Sequence, residues 1–273
     1  MKLVGIFSLA SGALLCFAVG TLRIHESQLF RTLWNTLRKG DVLLSDRGFC
    51  SFFAIASLLQ KEVDSVMRLH QARRIDFRKG KALGTGDILV RWKKPAQRAA
   101  AWSKKDFAAL PKELTLRQIR LEVKPRGFRS RTLVIITTLL DPVAYPADKI
   151  RTLYFERWSV ELHFREIKTL LRMDVLRCLS PEMIEREVWL HAIAYNLVRS
   201  LMQDAAIIHH VNLARISFKG TLDTLRHFAD VVHAATGRPR KQTQLIDTML
   251  ALIAKDQLPC RPDRVEPRAK KRR

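Results

Sequence analysis

"LYFERWSVELHFREIKTLLRMDVLR", residues 153–177, decides the fold because it carries two side-chain patterns at the period of an α-helix. Successive residues of a helix are turned by about 100°. On that wheel one stripe, about 80° wide, collects a phenol, a carboxylate and three cations: Tyr154, Arg157, Glu161, Arg165 and Lys168. An adjacent apolar stripe is formed by Leu153, Val160, Phe164, Ile167 and Leu171. The spacing predicts a helix that packs on a core and presents the polar stripe at the edge of that contact.

The single carboxylate of the polar stripe, Glu161, lies among positive charges. Nearby cations favour the ionised form of a carboxyl group, so Glu161 is suited to hold a metal ion close to phosphate groups. The alternative is a set of ordinary surface ion pairs at i, i+4 spacing, each worth a few tenths of a kcal/mol. Spacing alone favours the ion pairs, and the other features of the chain favour the metal- and phosphate-binding interpretation.

The charge of the 273-residue chain is its strongest compositional signal. It has 49 Lys and Arg against 26 Asp and Glu, a formal net charge of +23. Such an excess indicates a polyanionic partner, with nucleic acid ahead of an acidic membrane or a charge that only serves solubility. The four cysteines are far apart and lack zinc-ligand spacing, which favours free thiols in a reducing compartment and a cytoplasmic location.

The N-terminal stretch "MKLVGIFSLASGALLCFAVGTL", residues 1–22, is apolar enough for a signal peptide or a membrane anchor. Against that interpretation, it has only one early cation, Lys2, and several small residues interrupt it. Two short apolar runs flank "LASG", which favours a β-hairpin with Gly12 in the turn. A membrane anchor over residues 3–19 is the alternative.

A second informative stretch is "GDVLLSDRGF", residues 40–49. Its apolar run predicts a buried strand that ends at Asp46, and the carboxyl ends of strands in an open sheet are where ligands bind. The alternative is a turn-forming aspartate before Gly48. Helices are predicted on either side, over residues 25–41 and over residues 52–70.

Residues 65–131 form a basic segment, with 19 Lys and Arg against five Asp and Glu. Three strand-like pieces lie in or just beyond it: "DILVRW" (87–92), "LRQIRLEVK" (116–124) and "FRSRTLVIITTLL" (128–140). This density of cations is typical of a surface that tracks a phosphate backbone, and the alternative is a solvated charged face. Apolar helices are predicted beyond residue 180, followed by a disordered tail over residues 260–273.

At this point the chain resembles the DDE transposases of the insertion sequence 4 family of bacterial mobile elements. One matching motif is Tyr154-x2-Arg157-x3-Glu161-x6-Lys168, which has the residue types and spacing of that family's Y-R-E-K signature. The other is "GDVLLSDRGF", which is similar to the strand that carries the family's second catalytic aspartate, here Asp46. The resemblance covers nearly all of residues 2–205.

The resemblance implies an α/β fold: an RNase H-like core that lacks its first strand, with a β-rich basic insertion and a helical C-terminal region. It implies DNA cleavage and strand transfer with two divalent metal ions, Mg²⁺ or Mn²⁺. An in-line displacement at phosphorus needs an activated attacking oxygen and a stabilised leaving oxygen, and two metal ions supply both. Asp46 and Glu161 are the catalytic, metal-binding carboxylates that it implies. The DNA-binding residues expected from the motif and its stripe are Tyr154, Arg157, Arg165 and Lys168.

The departures from the family pattern lead to a further expectation. No residue before Asp46 matches the family's first catalytic aspartate, and Asp41 begins the same strand and is no substitute. We therefore expect a truncated copy with impaired strand transfer and with unpaired strand edges where the first strand is missing. The alternative is a non-catalytic regulator that binds transposon ends or joins a full-length transposase. A tryptophan that relatives use to stack a flipped base has no counterpart in residues 103–153.

The predicted organisation has four parts. Residues 1–64 form the first part of the core, 65–145 the basic insertion, 146–205 the glutamate-bearing helix with the following core helix, and 206–273 a helical region with a basic tail. The expected partner is DNA at transposon ends, with a homodimer or a complex with full-length transposase as protein partners, and no membrane.

Overall fold

The computed structural model describes residues 1–73, 75–98, 102–123 and 131–259. Its strands are β1 (Lys2–Phe7), β2 (Leu14–Gly20), β3 (Val42–Ser45), β4 (Asp64–Arg68), β5 (Lys81–Gly84), β6 (Asp87–Lys93), β7 (Glu113–Val123) and β8 (Arg131–Thr137). Its helices are α1 (Glu26–Thr32), α2 (Phe52–Gln60), α3 (Lys104–Ala109), α4 (Ala147–Glu156), α5 (Ser159–Arg165), α6 (Pro181–Ile208), α7 (Phe218–Ala234) and α8 (Pro239–Lys255). The predicted tail, 260–273, lies outside the described residues.

Contacts divide the chain into two compact units. Among the described residues, the first unit contains Met1–Gly5 and Cys16–Arg157, and the second contains Ile6–Leu15 and residues 158–259. The architecture is mixed α/β, as predicted, with the main sheet in the first unit and the long helices in the second.

The predicted N-terminal hairpin is confirmed, because β1 and β2 form a two-stranded sheet. Its turn is closed by the amide of Ser8, which donates to the carbonyl of Ala13 at 2.9 Å, and by the amide of Gly12, which donates to the carbonyl of Ser8 at 2.8 Å. Gly12 has a φ of +70°, a left-handed conformation that favours glycine. Across the part of the chain that the structure describes, no helix has the length and hydropathy needed to cross a membrane.

The first unit is built on a six-stranded sheet in the order β3-β4-β8-β7-β6-β5. β3 and β4 are parallel, and every other neighbouring pair is antiparallel. β3 is an edge strand whose one partner among the described residues is β4. The carboxyl ends of β3 and β4 therefore meet at one edge of the sheet.

The three predicted strand pieces of the basic segment correspond to β6, β7 and β8, although residues 124 and 128–130 lie outside the described part of the chain. The helix predicted over residues 52–70 is wrong in its second half. α2 ends at Gln60, the chain reverses through Glu62 with a φ of +56°, and β4 begins at Asp64. Val66 and Met67 are both 0% exposed. Consecutive buried residues are typical of a central strand covered on both faces.

The core of the first unit joins this sheet to α4. It contains Val66, Ile119, Leu121, Ile135, Leu139, Ile150 and Tyr154. α2 adds a second buried surface through Phe52, Ile55 and Leu58, each no more than 1% exposed. α2 starts at an N-cap, Ser51, whose hydroxyl accepts a hydrogen bond from the amide of Ala54.

The second unit is organised around α6, a 28-residue helix capped by Ser180 with Pro181 in its first turn. The tip of the hairpin docks on this helix by polar contacts. The Tyr195 hydroxyl donates to the carbonyl of Gly12 at 2.7 Å, and Asn196 exchanges two hydrogen bonds of 2.9 Å with the backbone of Leu14. α7 and α8 also pack on α6, as the predicted helical C-terminal region requires.

Candidate functional site

Asp46 follows β3 directly and forms the N-cap of a short 3-10 turn, Arg47–Phe49. Its carboxylate accepts a hydrogen bond from the amide of Arg47 at 2.7 Å. The side chain is half-buried, so it is held in place and still accessible. Because β3 and β4 are parallel, Asp46 lies at the same sheet edge as the end of β4, where Arg68 is found.

Tyr154 lies on α4 and is 5% exposed, packed in the core of the first unit. Burial raises the pKa of its hydroxyl above the usual value of 10.0. The charges of Arg157 and Arg68 oppose that rise, and the charge of Asp46 adds to it. The Tyr154 hydroxyl therefore lies within electrostatic reach of one carboxylate and two guanidinium groups.

Arg157 ends α4 as its C-cap residue and is half-buried. The centre of its guanidinium group lies 5.7 Å from the centroid of the Tyr154 ring. The first unit thus brings together four residues, which we call the strand-edge cluster: Asp46, Arg68, Tyr154 and Arg157. Guanidinium groups are suited to bind phosphate oxygens, because each offers several hydrogen-bond donors and a permanent charge. The Tyr154 hydroxyl, in contrast, is buried.

The single helix predicted over residues 153–177 is interrupted in the structure. α4 ends at Glu156, α5 runs over Ser159–Arg165, and a π-helical turn follows over Glu166–Leu170. In that turn the amide of Leu171 donates to the carbonyl of Glu166 at 3.1 Å. π-Helical turns are uncommon and are enriched at functional sites. The helical wheel with 100° per residue therefore describes side-chain directions only within each short helix and not across residues 153–177.

The interruption assigns the predicted site residues to different units. Tyr154 and Arg157 belong to the first unit with Asp46, whereas Glu161, Arg165 and Lys168 belong to the second. These last three side chains are exposed. The Lys168 ammonium lies 5.6 Å from the centroid of the Phe164 ring. Within the described ranges, no group of three or more His, Cys, Asp and Glu side chains is arranged to hold a metal ion.

Arg68 is a site residue that the sequence argument missed. Arg68 lies within the helix predicted over residues 52–70, and in a helix it would not lie next to Asp46. As the last residue of β4 it instead shares the sheet edge with Asp46. The available signal was the buried run before it, "SVM", which fits a strand as well as a helix.

Arg117 supports the site without belonging to it. This β7 side chain is 0% exposed and donates to both carboxylate oxygens of Asp87, at 2.8 and 2.5 Å. It also donates to the carbonyl of Tyr145 at 2.6 Å, in the loop that leads into α4. The pair therefore fixes the start of the helix that carries Tyr154 and Arg157. Arg117 is one of the 19 cations of the basic segment, and its burial excludes it from contact with phosphates.

A family model described as "Transposase DDE domain" matches residues 1–197. The chain belongs to this family. The resemblance to DDE transposases is thus confirmed, and its two motifs both lie inside the matched range.

Two relatives show which DDE transposases the chain is similar to. Transposase InsG for insertion sequence element IS4, from Escherichia coli (strain K12), is 27% identical over 282 residues, covering 100% of this chain and 60% of the relative. The transposase for insertion sequence element IS421, from Escherichia coli, is 28% identical over 192 residues, covering 60% of this chain and 51% of the relative. The chain therefore spans about three fifths or less of the length of these transposases.

Proposed function

We propose that this chain acts on DNA as part of an insertion-sequence transposase and that its own contribution is to bind transposon-end DNA. The strand-edge cluster is the observation that carries this proposal. It places the guanidinium groups of Arg68, at the end of β4, and of Arg157, at the end of α4, near Asp46, at the edge where the parallel strands β3 and β4 end and where ligands of open sheets bind. The net charge of +23 supplies the long-range attraction for a polyanion.

The individual roles follow from exposure and charge. Arg68 and Arg157 are half-buried, and each offers a guanidinium group for phosphate oxygens. Tyr154, whose hydroxyl is buried, packs in the core of the first unit and holds the end of the helix that carries Arg157. Arg165 and Lys168 are exposed cations of the second unit and add phosphate contacts there. Acting on DNA is consistent with a cytoplasmic location in a bacterial cell.

The metal-dependent chemistry of the family needs several carboxylates around each ion. Asp46 and Glu161 are the two that the motifs assign, and they belong to different units. The described residues contain no cluster that fits an Mg²⁺ or Mn²⁺ site, so we derive no catalytic step through a metal. We propose that DNA cleavage and strand transfer by this chain are impaired and that its DNA binding does not require a metal ion.

We also propose an RNase H-like identity for part of the first unit. The parallel pair β3-β4 carries Asp46, and α4 packs on the same sheet, as such a core requires. β5, β6 and β7 would then form the basic insertion, within the range 65–145. The predicted boundaries at residues 64, 145 and 205 are part of this proposal.

DNA binding is tested by titrating a short duplex with the purified chain at several salt concentrations, with and without EDTA. We expect affinity to fall steeply with salt and to be unchanged by EDTA. Arg68→Ala and Arg157→Ala should each weaken binding about tenfold and lower the salt slope by about one phosphate contact. Arg226→Ala, an exposed arginine paired with Asp223 on α7, is the matched control. Unchanged affinity in both site variants would remove the strand-edge cluster from the interface.

A second candidate function is inhibition of an intact transposase. It is favoured by the combination of phosphate-binding groups with no acidic cluster in the described ranges. Coexpression with an intact relative would then lower its transposition frequency, and Arg157→Ala would restore it. Metal-dependent cleavage of transposon-end DNA that vanishes in a Glu161→Ala variant would instead show that this chain is catalytic.

A further inference from the structure

The turn between α7 and α8, in the second unit, carries cations that none of the proposed DNA contacts uses. Its sequence is "TGRPRK", residues 236–241, and we call this segment the basic turn. All six of its residues are exposed. Three of them are cations: Arg238, Arg240 and Lys241. The basic turn therefore presents three positive charges within four consecutive positions.

The charges of the basic turn are not neutralised along the chain. Residues 231–246 contain no Asp or Glu, and the carboxylates that bracket this stretch are Asp230 and Asp247. Within the described ranges, no ion pair includes a cation of the basic turn. Exposed cations without a counter-charge produce a local positive potential that attracts a polyanion.

The backbone of the basic turn is anchored to packed helices. The amide of Arg238 donates to the carbonyl of Ala235 at 2.9 Å, and Ala235 is 2% exposed. Gly237 has a φ of +83°, a conformation that favours glycine. Pro239 is the first residue of α8, where its ring fixes the backbone for the helix start. The cations therefore project from a defined backbone and not from a loose loop.

The residues around the two arginines are compact. Gly237 precedes Arg238 and has no side chain, and Pro239 separates the arginines with a small ring and no amide hydrogen. The minor groove of B-DNA is about 6 Å wide, which admits a slim segment and excludes a whole helix. It is narrowest, and its potential most negative, in A·T tracts, where arginine side chains insert. Arginine is suited to this groove because a guanidinium group is more weakly hydrated than an ammonium group.

We propose that the basic turn inserts Arg238 and Arg240 into the minor groove of A·T-rich duplex DNA. The guanidinium groups donate to the A N3 and T O2 acceptors of that groove, and the amino group of guanine opposes the same approach in G·C pairs. Lys241 contacts a flanking phosphate. The inference rests on the proposed function, since it assumes that the chain binds duplex DNA. It adds a preference for base composition, supplied by the second unit.

The test compares three duplexes of equal length whose central tracts consist of A·T, G·C or inosine·C pairs. Inosine lacks the amino group of guanine, so an inosine·C tract has the acceptor pattern of A·T in the minor groove and that of G·C in the major groove. We expect the chain to bind the A·T duplex about tenfold more tightly than the G·C duplex. The inosine·C duplex should bind like the A·T duplex. If it binds like the G·C duplex, the minor groove is not read and the inference is overturned.

Two double variants assign the preference to the basic turn. Arg238→Gln with Arg240→Gln should bring the A·T and G·C affinities towards equality. Arg238→Lys with Arg240→Lys keeps the net charge and should still reduce the preference, because ammonium groups hold their water more strongly. The matched control is Arg226→Gln with Lys255→Gln, which removes two exposed cations from the same two helices. The control should keep the full preference.

The outcomes separate this inference from the proposed function. Equal affinity for the A·T and G·C duplexes overturns the role of the basic turn and leaves the proposed function intact. A preference that persists in the glutamine double variant, shown to be folded by thermal unfolding, also overturns it. Failure to bind any of the three duplexes contradicts the proposed function itself.

Discussion

Replacing Arg117 by methionine removes the charge and the hydrogen bonds of a fully buried side chain while keeping much of its length. The change leaves the Asp87 carboxylate, with a side chain 6% exposed, without its cation. Removing one partner of a buried ion pair costs roughly 3–5 kcal/mol. The carbonyl of Tyr145 also loses its donor at 2.6 Å, which adds roughly 1 kcal/mol or more. We expect the free energy of unfolding of the first unit to fall by about 4–6 kcal/mol.

The assay is urea unfolding followed by tryptophan fluorescence, arranged to report on the first unit alone. Trp158 and Trp189 belong to the second unit and are about half exposed, so both can be replaced by phenylalanine as a common background. The remaining fluorescence then comes from Trp34, Trp92 and Trp102, all buried in the first unit. A loss below about 1 kcal/mol in the Arg117→Met variant would refute the reasoning, because a solvated carboxylate alone gives so small an effect.

A paired substitution separates the lost charge from the lost packing. In Arg117→Met combined with Asp87→Leu, no charge is left buried, and replacing a whole buried pair by apolar residues is often neutral. The double variant should recover more than half of the stability that the single variant loses. If the double variant is less stable than Arg117→Met alone, the buried carboxylate is not the source of the loss.

Three further changes have defined outcomes. Gly12→Ala should lower the unfolding free energy of the second unit by about 1–3 kcal/mol, because φ is +70° and an added Cβ would collide with the Arg199 guanidinium; an unchanged urea midpoint in far-UV circular dichroism, which follows the long helices of that unit, would contradict this. Tyr195→Phe should cost about 1 kcal/mol by the same circular dichroism measurement, since the 2.7 Å hydrogen bond to Gly12 is lost. Burial raises the pKa of the Cys50 thiol from 9.0 to about 11. The stability that the protonated thiol contributes is therefore fully present below pH 9 and is lost as the pH rises to about 11. Stability should therefore fall by roughly 2–3 kcal/mol more across that window than in Cys50→Ala, measured by urea midpoints at both ends.

The parts of the fold that the sequence predicts are those set by local pattern. The hairpin has two short apolar runs around a glycine that adopts a positive φ, and both runs and the glycine are readable without knowledge of distant contacts. β6 and β7 have the same local signature. Likewise, the run before Asp46 predicts β3 because a short apolar stretch ends at a turn.

The parts that the sequence does not predict depend on distant residues. Residues 64–68 become a strand because β3 and β8 lie on either side of them, and the local apolar period fits a helix equally well. Nothing in the local sequence distinguishes Arg117 from an exposed cation. Its burial depends on the ion pair with Asp87, which lies 30 positions away. Arg68 joins the strand-edge cluster for the same non-local reason.

The helix interruption after Arg157 divides the Y-R-E-K motif between two compact units, so the two halves of the motif depend on different cores. Tyr154 and Arg157 depend on the core that Arg117 and Asp87 stabilise. Glu161 is followed on α5 by His163, which is buried against Phe7 and hydrogen-bonded to Glu166 in the second unit. Under the proposed function, damage to the first core would remove the phosphate contacts of Arg68 and Arg157, and damage to the second would remove the support of the Glu161 carboxylate. Because the proposed contacts of Arg68 and Arg157 do not depend on Glu161, the proposed DNA binding would persist when the chemistry is impaired, and that separation is what the proposed inhibitory function requires.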